Sequence, residues 1–229
     1  MPTHSENPPA AAARELVVAL HGLNCTGRSM SRLAAGFERN GYRAINPTYP
    51  SRTMPIEEIA ASWLPKILRK AGADTAPRVH FVTHSMGGIV VRLWLRDCPA
   101  PANLGRIVMI APPNHGSEVP DRLLNNSFLR FMTSANGCRL GTKEGSLPRA
   151  LGDCPEYAEV GIIAGDHPLN PFFSSWIGGP SDGTVSVEST HLAGMRDHIV
   201  MPHSHSLIVL RKAVAAQSLH FLREGKFAA

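Results

Sequence analysis

Short apolar runs alternate along this chain with longer segments that have helical spacing. Most of the runs are continuously apolar rather than alternating, which is typical of strands that are buried on both faces of a parallel sheet. They are ELVVAL (15–20), YRAINP (42–47), RVHFVT (78–83), RIVMIAPP (106–113), VGIIAG (160–165) and HIVM (198–201). This alternation predicts an α/β fold with a mainly parallel sheet and helices on both of its faces.

The segments with helical spacing lie between and after these runs. They cover residues 29–42, 55–72, 87–97 and 207–224. Pro65 lies inside the second of them and should kink or divide that helix, because proline lacks the N–H that the helix needs. Strands and helices follow one another without an internal repeat, so we expect a single domain over residues 15–229. Residues 1–14 are polar and rich in Pro and Ala, and they are expected to form a flexible leader.

Residues 114–157 interrupt the alternation and are too many for a simple connection. We expect them to form a small helical insertion, with DRLLNNSFLRFM (121–132) as its amphipathic part. Its large apolar side chains could form a lid or a pocket wall for lipid-like or medium-chain acyl groups, or could simply pack on the domain. They are Leu123, Leu124, Phe128, Leu129 and Phe131.

Composition excludes several classes of protein. The 229 residues carry a formal net charge of +5, but Lys and Arg do not form a run, so the charge does not indicate a nucleic-acid partner. No stretch approaches the roughly 20 apolar residues that span a bilayer. The N-terminus lacks the basic and apolar regions of a signal peptide, which predicts a cytoplasmic protein.

The four cysteines have no CxxC spacing, which argues against a zinc or thioredoxin-like site. Without an export signal we expect free thiols. Cys138 and Cys154 lie in one irregular segment and could pair if the protein were exported.

The stretch VHFVTHSMGGIVV (79–91) runs from a strand through a tight turn directly into a helix. A serine hydroxyl is a weak nucleophile until a base takes its proton. A turn of this kind would expose Ser85 at the carboxyl edge of the sheet, next to the N–H groups that begin the helix. Gly87 and Gly88 would allow the strand and the helix to pass close together. The pattern therefore predicts a catalytic serine.

These residues resemble the nucleophile elbow G-x-S-x-G of the α/β-hydrolase superfamily, here T-H-S-M-G (83–87) with Thr83 in place of the first glycine. The form VTHSMGGIVVR is similar to bacterial lipases and esterases and to GPI-inositol-deacylase-like proteins. The resemblance implies an α/β-hydrolase fold from about residue 15 onward. It also implies an oxyanion hole made by the backbone N–H groups of Leu23 and Met86. His21, in the H-G pair after the first strand, would then be structural, and His84 could line the pocket.

The superfamily order of nucleophile, acid and base along the chain directs attention to two aspartates. Asp166 directly follows the strand at 160–165, whereas Asp182 lies in SDGTVSVEST. The resemblance favours Asp182, because lipase-like chains have a similar D-G segment at the acid position. Asp166 stays the alternative.

The base is expected in MPHSHSLIVL (201–210), between the last strand and the last helix. His205 is favoured over His203, because the base of the family usually stands just before the final helix. A metal site formed by His198, His203, His205 and Asp197 is disfavoured, because the spacing matches no common zinc pattern.

The resemblance implies a serine esterase or lipase that forms an acyl-enzyme with Ser85, Asp182 and His205 and needs no cofactor or metal. Its partner would be a small-molecule or lipid-like ester. A thioesterase, an amidase or an acyltransferase would use the same residues. The alternative to an enzyme is a binding protein that has the hydrolase fold but no catalytic activity.

Overall fold

The structure is a computed structural model that describes residues 13–98, 101–125, 134–169 and 175–229. Its strands are β1 (Leu16–Leu20), β2 (Arg43–Ile45), β3 (Val79–His84), β4 (Leu104–Ile110), β5 (Val160–Gly165) and β6 (Asp197–Met201). They form one six-stranded sheet in the order β2-β1-β3-β4-β5-β6. Each neighbouring pair is parallel. The apolar runs of the sequence are thus the strands of a parallel sheet.

Helices cover both faces of this sheet. They are α1 (Ser31–Arg39), α2 (Ile56–Glu58), α3 (Leu64–Lys70), α4 (Met86–Asp97), α5 (Glu118–Asn125), α6 (Ala135–Arg139), α7 (Leu147–Ala150), α8 (Val187–Thr190) and α9 (Lys212–Glu224). In β1, Val17 and Ala19 pack in the core shared with α1 and α9. Leu16, Val18 and Leu20 pack in the core shared with α3 and α4. Because side chains of a strand alternate between its faces, one apolar run supplies both cores.

Two predicted helices are divided in the structure. A π-helical turn, Ile59–Trp63, separates α2 from α3, and the N–H of Leu64 donates to the carbonyl of Ile59. Pro65 then stands in the first turn of α3, where its missing N–H costs least. The closing helix begins at Lys212 rather than at 207, because Arg211 is extended after the 3-10 turn Ile208–Leu210. The fourth strand ends at Ile110, since Ala111 has a φ of +50°.

The sheet order reverses between β1 and β3. The chain leaves β1 for the edge strand β2 and returns to the other side of β1 as β3. In open parallel sheets, such a reversal opens a crevice at the carboxyl ends of the two central strands, because their connections run to opposite faces. His21 and Gly22 follow β1, and Ser85 follows β3. The topology therefore puts the two predicted halves of the site beside one crevice.

The segment between β4 and β5 contains α5, α6 and α7 and is attached to the domain through a buried arginine. Both amino groups of Arg92, on α4, donate hydrogen bonds: one to the carbonyl and side-chain oxygens of Asn114, the other to the carbonyls of Pro148 and Gly152. Burial lowers the pKa of Arg92 to about 10. Asn114 in turn donates to the carbonyl of Thr190. The start and the end of the insertion are thus held against α4.

Some sequence predictions fall on parts of the chain that the structure leaves out. Residues 1–12 of the predicted leader lie outside the described residues, as do Phe128, Leu129 and Phe131 and the side chains of Leu123 and Leu124. The four cysteines are described, and all are free thiols. Within the described ranges, no helix has the length and apolar character that crossing a bilayer requires.

Candidate active site

Ser85 occupies a strained turn between β3 and α4. Its φ of +51° and ψ of −122° are rare for a residue with a side chain. The turn is held on both sides, because the N–H of Ser85 donates to the carbonyl of Ile110 and the N–H of Gly88 donates to that of Ser85. At Gly87 a Cβ atom would lie 2.8 Å from the carbonyl oxygen of Leu20. Glycine is required there because α4 passes so close to the end of β1.

The side chains of Ser85, His205 and Asp182 form one hydrogen-bonded chain. His205 Nε2 lies 3.0 Å from Ser85 Oγ, and His205 Nδ1 lies 2.7 Å from Asp182 Oδ2. Asp182 is only 2% exposed. Its other carboxylate oxygen accepts the N–H groups of Thr184 and Val185, which fixes the orientation of the carboxylate. The arrangement has the geometry of a nucleophile, a base and an orienting acid.

The competing candidates lie beside this chain of hydrogen bonds but not in it. Asp166 is exposed, and its N–H donates to the carbonyl of Met201. The N–H of His203 also donates to Met201, and its side chain makes no hydrogen bond to any described residue. His198 lies 2.9 Å from the hydroxyl oxygen of Thr190 and stacks on His191. The structure therefore brings together the favoured acid and base and leaves their alternatives outside.

Gly165, the last residue of β5, separates the segments that carry the acid and the base. A Cβ atom at this position would lie 2.3 Å from the carbonyl oxygen of His203 and 2.9 Å from the Cβ of Asp182. The N–H of His205 donates to the carbonyl of Asp182, so the two segments are also bonded to each other. The alignment of acid and base thus depends on the absence of a side chain at Gly165.

We expect Gly165→Ala to lower the kcat for an ester substrate by about 100-fold, because a displacement of about 1 Å at a catalytic group can cost that much. Gly178→Ala is the matched control, since a Cβ there has no neighbour within 4 Å. Steady-state kinetics of both variants on p-nitrophenyl butyrate test this. Equal activity of the two variants would show that the segments adjust without loss.

Two backbone N–H groups stand near Ser85 without an acceptor. Neither the N–H of Leu23 nor that of Met86 donates a hydrogen bond to any residue that the structure describes. A Cβ at Gly22 would lie 3.2 Å from the Cβ of Ser85, so the loop that carries Leu23 approaches the serine closely. Free N–H groups on both sides of a nucleophile are what an oxyanion requires.

His21 is bonded entirely within this loop region. Its Nδ1 lies 2.8 Å from the carbonyl of Gly22, and its Nε2 accepts the N–H of Tyr49. The ring stacks on that of Tyr49 with centroids 4.0 Å apart, and the Tyr49 hydroxyl donates to the carbonyl of His21. Burial lowers the pKa of His21 and so favours its neutral ring. These contacts fix the loop and leave no proton of His21 for chemistry at Ser85.

His84 contacts His205 directly, which the sequence did not indicate. Its Nε2–H donates to the carbonyl of His205 at 3.0 Å, and the two rings lie 4.9 Å apart. Burial, with a smaller contribution from the nearby His205, lowers the pKa of His84 to about 3. Two adjacent imidazolium rings would repel each other, so a neutral His84 is compatible with a positive charge on His205.

No family model matches this chain, and no curated protein matches it either. Solved structures do match. The mature Bacillus licheniformis lipase BlEst2 is similar at 20% identity with a TM-score of 0.67, over 91% of this chain and 90% of that one. The Legionella pneumophila phospholipase PlaB, in complex with thio-NAD, is similar at 20% identity with a TM-score of 0.67, over 90% of this chain and 56% of that one. A putative thioesterase from Silicibacter sp. is similar at 20% identity with a TM-score of 0.56, over 89% of this chain and 73% of that one.

The chain has an α/β-hydrolase fold. The match to the mature BlEst2 structure covers 91% of this chain. In this α/β-hydrolase fold, Ser85 lies in the crevice where the sheet order reverses.

The crevice of this α/β-hydrolase fold contains a cavity of about 270 Å³ above Ser85. The insertion supplies part of its wall, through residues such as Val119, Pro120 and Leu140. None of the described residues that line the cavity is Asp, Glu, Lys or Arg. A charged group would lose its hydration here without gaining a partner of opposite charge, so the cavity suits an uncharged and largely apolar group.

Proposed function

We propose that this protein is a serine hydrolase that cleaves carboxylic esters through an acyl-enzyme, with Ser85, His205 and Asp182 as its catalytic residues. The observation that carries the proposal is the pair of short distances from His205, 3.0 Å to Ser85 Oγ and 2.7 Å to Asp182 Oδ2. A partly buried histidine between a strained serine and an immobilised carboxylate can move a proton from the serine to a leaving group.

The first half of the reaction forms the acyl-enzyme. Ser85 Oγ attacks the ester carbonyl carbon while its proton passes to His205 Nε2. The carbonyl oxygen becomes an oxyanion that accepts the N–H groups of Leu23 and Met86. Asp182 stabilises the imidazolium through Nδ1–H. The tetrahedral intermediate collapses, the bond to the alcohol oxygen breaks, and His205 gives its proton to the leaving alcohol.

The second half repeats these roles with water. His205 takes a proton from a water molecule, whose oxygen attacks the acyl carbon. The bond to Ser85 Oγ breaks, the proton returns to that oxygen, and a carboxylic acid leaves. Neither half requires a metal or an organic cofactor, since the attacking groups are a serine and water.

The cavity favours esters with an uncharged acyl group of short to medium length. Its volume of about 270 Å³ lies just below the usual range of about 300–1,000 Å³ for small-molecule sites, and its lining is free of charged residues. A thioesterase, an amidase or an acyltransferase would use the same three residues, so the bond cleaved has to be established by experiment.

A series of p-nitrophenyl esters from acetate to palmitate, assayed beside matched thioesters and anilides, tests the proposal. We expect the highest kcat/KM for butyrate to octanoate, and slower turnover of the anilides. Faster turnover of thioesters than of esters would make the protein a thioesterase. Absence of turnover in all three series, together with no labelling by a fluorophosphonate, would support a binding protein instead.

A further inference from the structure

A second concave region lies between two helices on one face of the sheet. One side of this region is formed by α1, and the other side is formed by α9 and the 3-10 turn Ile208–Leu210. Its volume is about 730 Å³. This is well inside the range for small-molecule sites. Phe37, Leu33 and Leu219 are among its apolar residues, while Gly36 and Ala215 leave space between the helices. We call this region the basic groove, because arginine and lysine side chains line it.

Four cations surround the basic groove. Arg32 and Arg39 lie two turns apart on α1, and Arg211 and Lys212 stand where α9 begins. No Asp or Glu is among the described residues that line it. None of the four has a carboxylate within 4.0 Å in the described part of the chain. Other arginines do have such partners, namely Arg78, Arg96, Arg106 and Arg139.

Two of these cations, Arg211 and Lys212, do not stabilise α9. Arg211 and Lys212 lie at the N-terminal end of α9, which has no acidic residue in its first turn. Cations at that end oppose the helix dipole. Arg39 does support its own helix, because it lies in the last turn of α1 and its Nε donates to the carbonyl of Ala35. All four cations lack a carboxylate partner among the described residues, and they would gain from an anion above the groove.

We propose that the basic groove binds a free fatty-acid anion, whose alkyl chain would lie along the apolar floor and whose carboxylate would lie among the cations. A second copy of this chain is disfavoured, since it carries the same formal net charge of +5 and would be repelled. The groove is also distinct in charge from the cavity at Ser85. The two share Val209 as a wall, so a carboxylate released at Ser85 would have this site close by.

One variant tests the contact between the carboxylate and the cations, and another tests the contact between the alkyl chain and the apolar residues. The double variant Arg32→Gln, Arg211→Gln removes one positive charge from each side of the basic groove. Gly36→Leu places a leucine side chain in the space between the two helices of the basic groove. The fold can accept it, because a Cβ at Gly36 has no neighbour within 4 Å. Leucine also favours a helix more than glycine does. Lys66→Gln with Lys70→Gln is the matched control, because both lysines are exposed on α3, which packs on the other face of the sheet.

The experiment is titration calorimetry of decanoate, below its critical micelle concentration, into the full-length protein. We expect saturable binding that weakens with salt, about tenfold weaker binding by the double arginine variant, and none by Gly36→Leu. The lysine control should match the unchanged protein, and decanol should bind at least about tenfold more weakly than decanoate.

Three outcomes would overturn the proposal. Unchanged decanoate binding by Gly36→Leu would place the ligand elsewhere, such as in the cavity at Ser85. Equal binding of decanol would remove the role of the cations. Binding to anionic phosphatidylglycerol vesicles without binding of decanoate would identify a membrane-facing surface. Ester turnover is measured in parallel and should be unchanged in Gly36→Leu, so the failure of this proposal is distinguishable from the failure of the proposed hydrolase.

Discussion

Replacing Ser85 by alanine is expected to lower the kcat for p-nitrophenyl butyrate by at least about 10,000-fold, because the reaction then has no nucleophile that can form the acyl-enzyme. Any residual rate would come from substrate binding and from the free N–H groups of Leu23 and Met86. The fold should be retained, since alanine adds no atom to the turn and the bonds at the Ser85 backbone do not involve the side chain.

Ser206→Ala is the matched control for this prediction. Ser206 lines the same cavity as Ser85, but among the described residues only Ser85 lies within hydrogen-bond distance of His205 Nε2. We expect Ser206→Ala to keep its kcat within about threefold of the unchanged protein and to react with a fluorophosphonate. The Ser85→Ala variant should not be labelled. Labelling of that variant, or ester turnover close to normal, would assign the nucleophile to another residue.

The sequence predicts those parts of the fold that depend on local pattern. Short continuous apolar runs such as VGIIAG are typical of strands in a sheet that is covered on both faces, and each of the six runs contains a strand. The elbow is also local, because strand, turn and helix follow one another within a few residues. Ser85 could therefore be selected from the sequence, and its positive φ agrees with the strained turn that the motif implies.

What the sequence leaves open depends on contacts between distant segments. Asp166 and Asp182 are both polar residues after β5, and only the folded chain shows that Asp182 is buried while Asp166 is exposed. The hydrogen bond from His84 to the carbonyl of His205 joins residues 121 positions apart. No local pattern encodes such a contact, because it is set by how the end of β3 meets the segment that follows β6.

The same reason explains the missed division of the closing helix. The spacing of LIVLRKAVAAQSLHFLRE continues through Arg211, so periodicity alone predicts one helix. In the structure Arg211 is extended, while Ile208 and Val209 are buried against the sheet. Tertiary packing here overrides local propensity. The result matters for function, because the short turn brings Val209 to the wall of the cavity.

The choice between the two histidines of MPHSHSLIVL gives the last prediction. His205→Ala is expected to lower kcat for p-nitrophenyl butyrate by about 1,000- to 10,000-fold, because Ser85 loses the base that takes its proton. His203→Ala should change kcat by less than about threefold. The His203 side chain makes no hydrogen bond in the described part of the chain, and the contact with Gly165 uses only its backbone carbonyl.

Added imidazole gives a readout that a structural role would not produce. In His205→Ala, a small base that enters the vacated space can accept the proton of Ser85, so kcat should rise with imidazole concentration, whereas His203→Ala should not respond. The reverse pattern would make His203 the base. That assignment would require the 203–205 segment to turn so that a different ring reaches Asp182, although the N–H of His205 donates to the carbonyl of Asp182. The two short side-chain distances from His205, together with this backbone bond that holds its segment in place, are the physical reason to expect that His205 is the base.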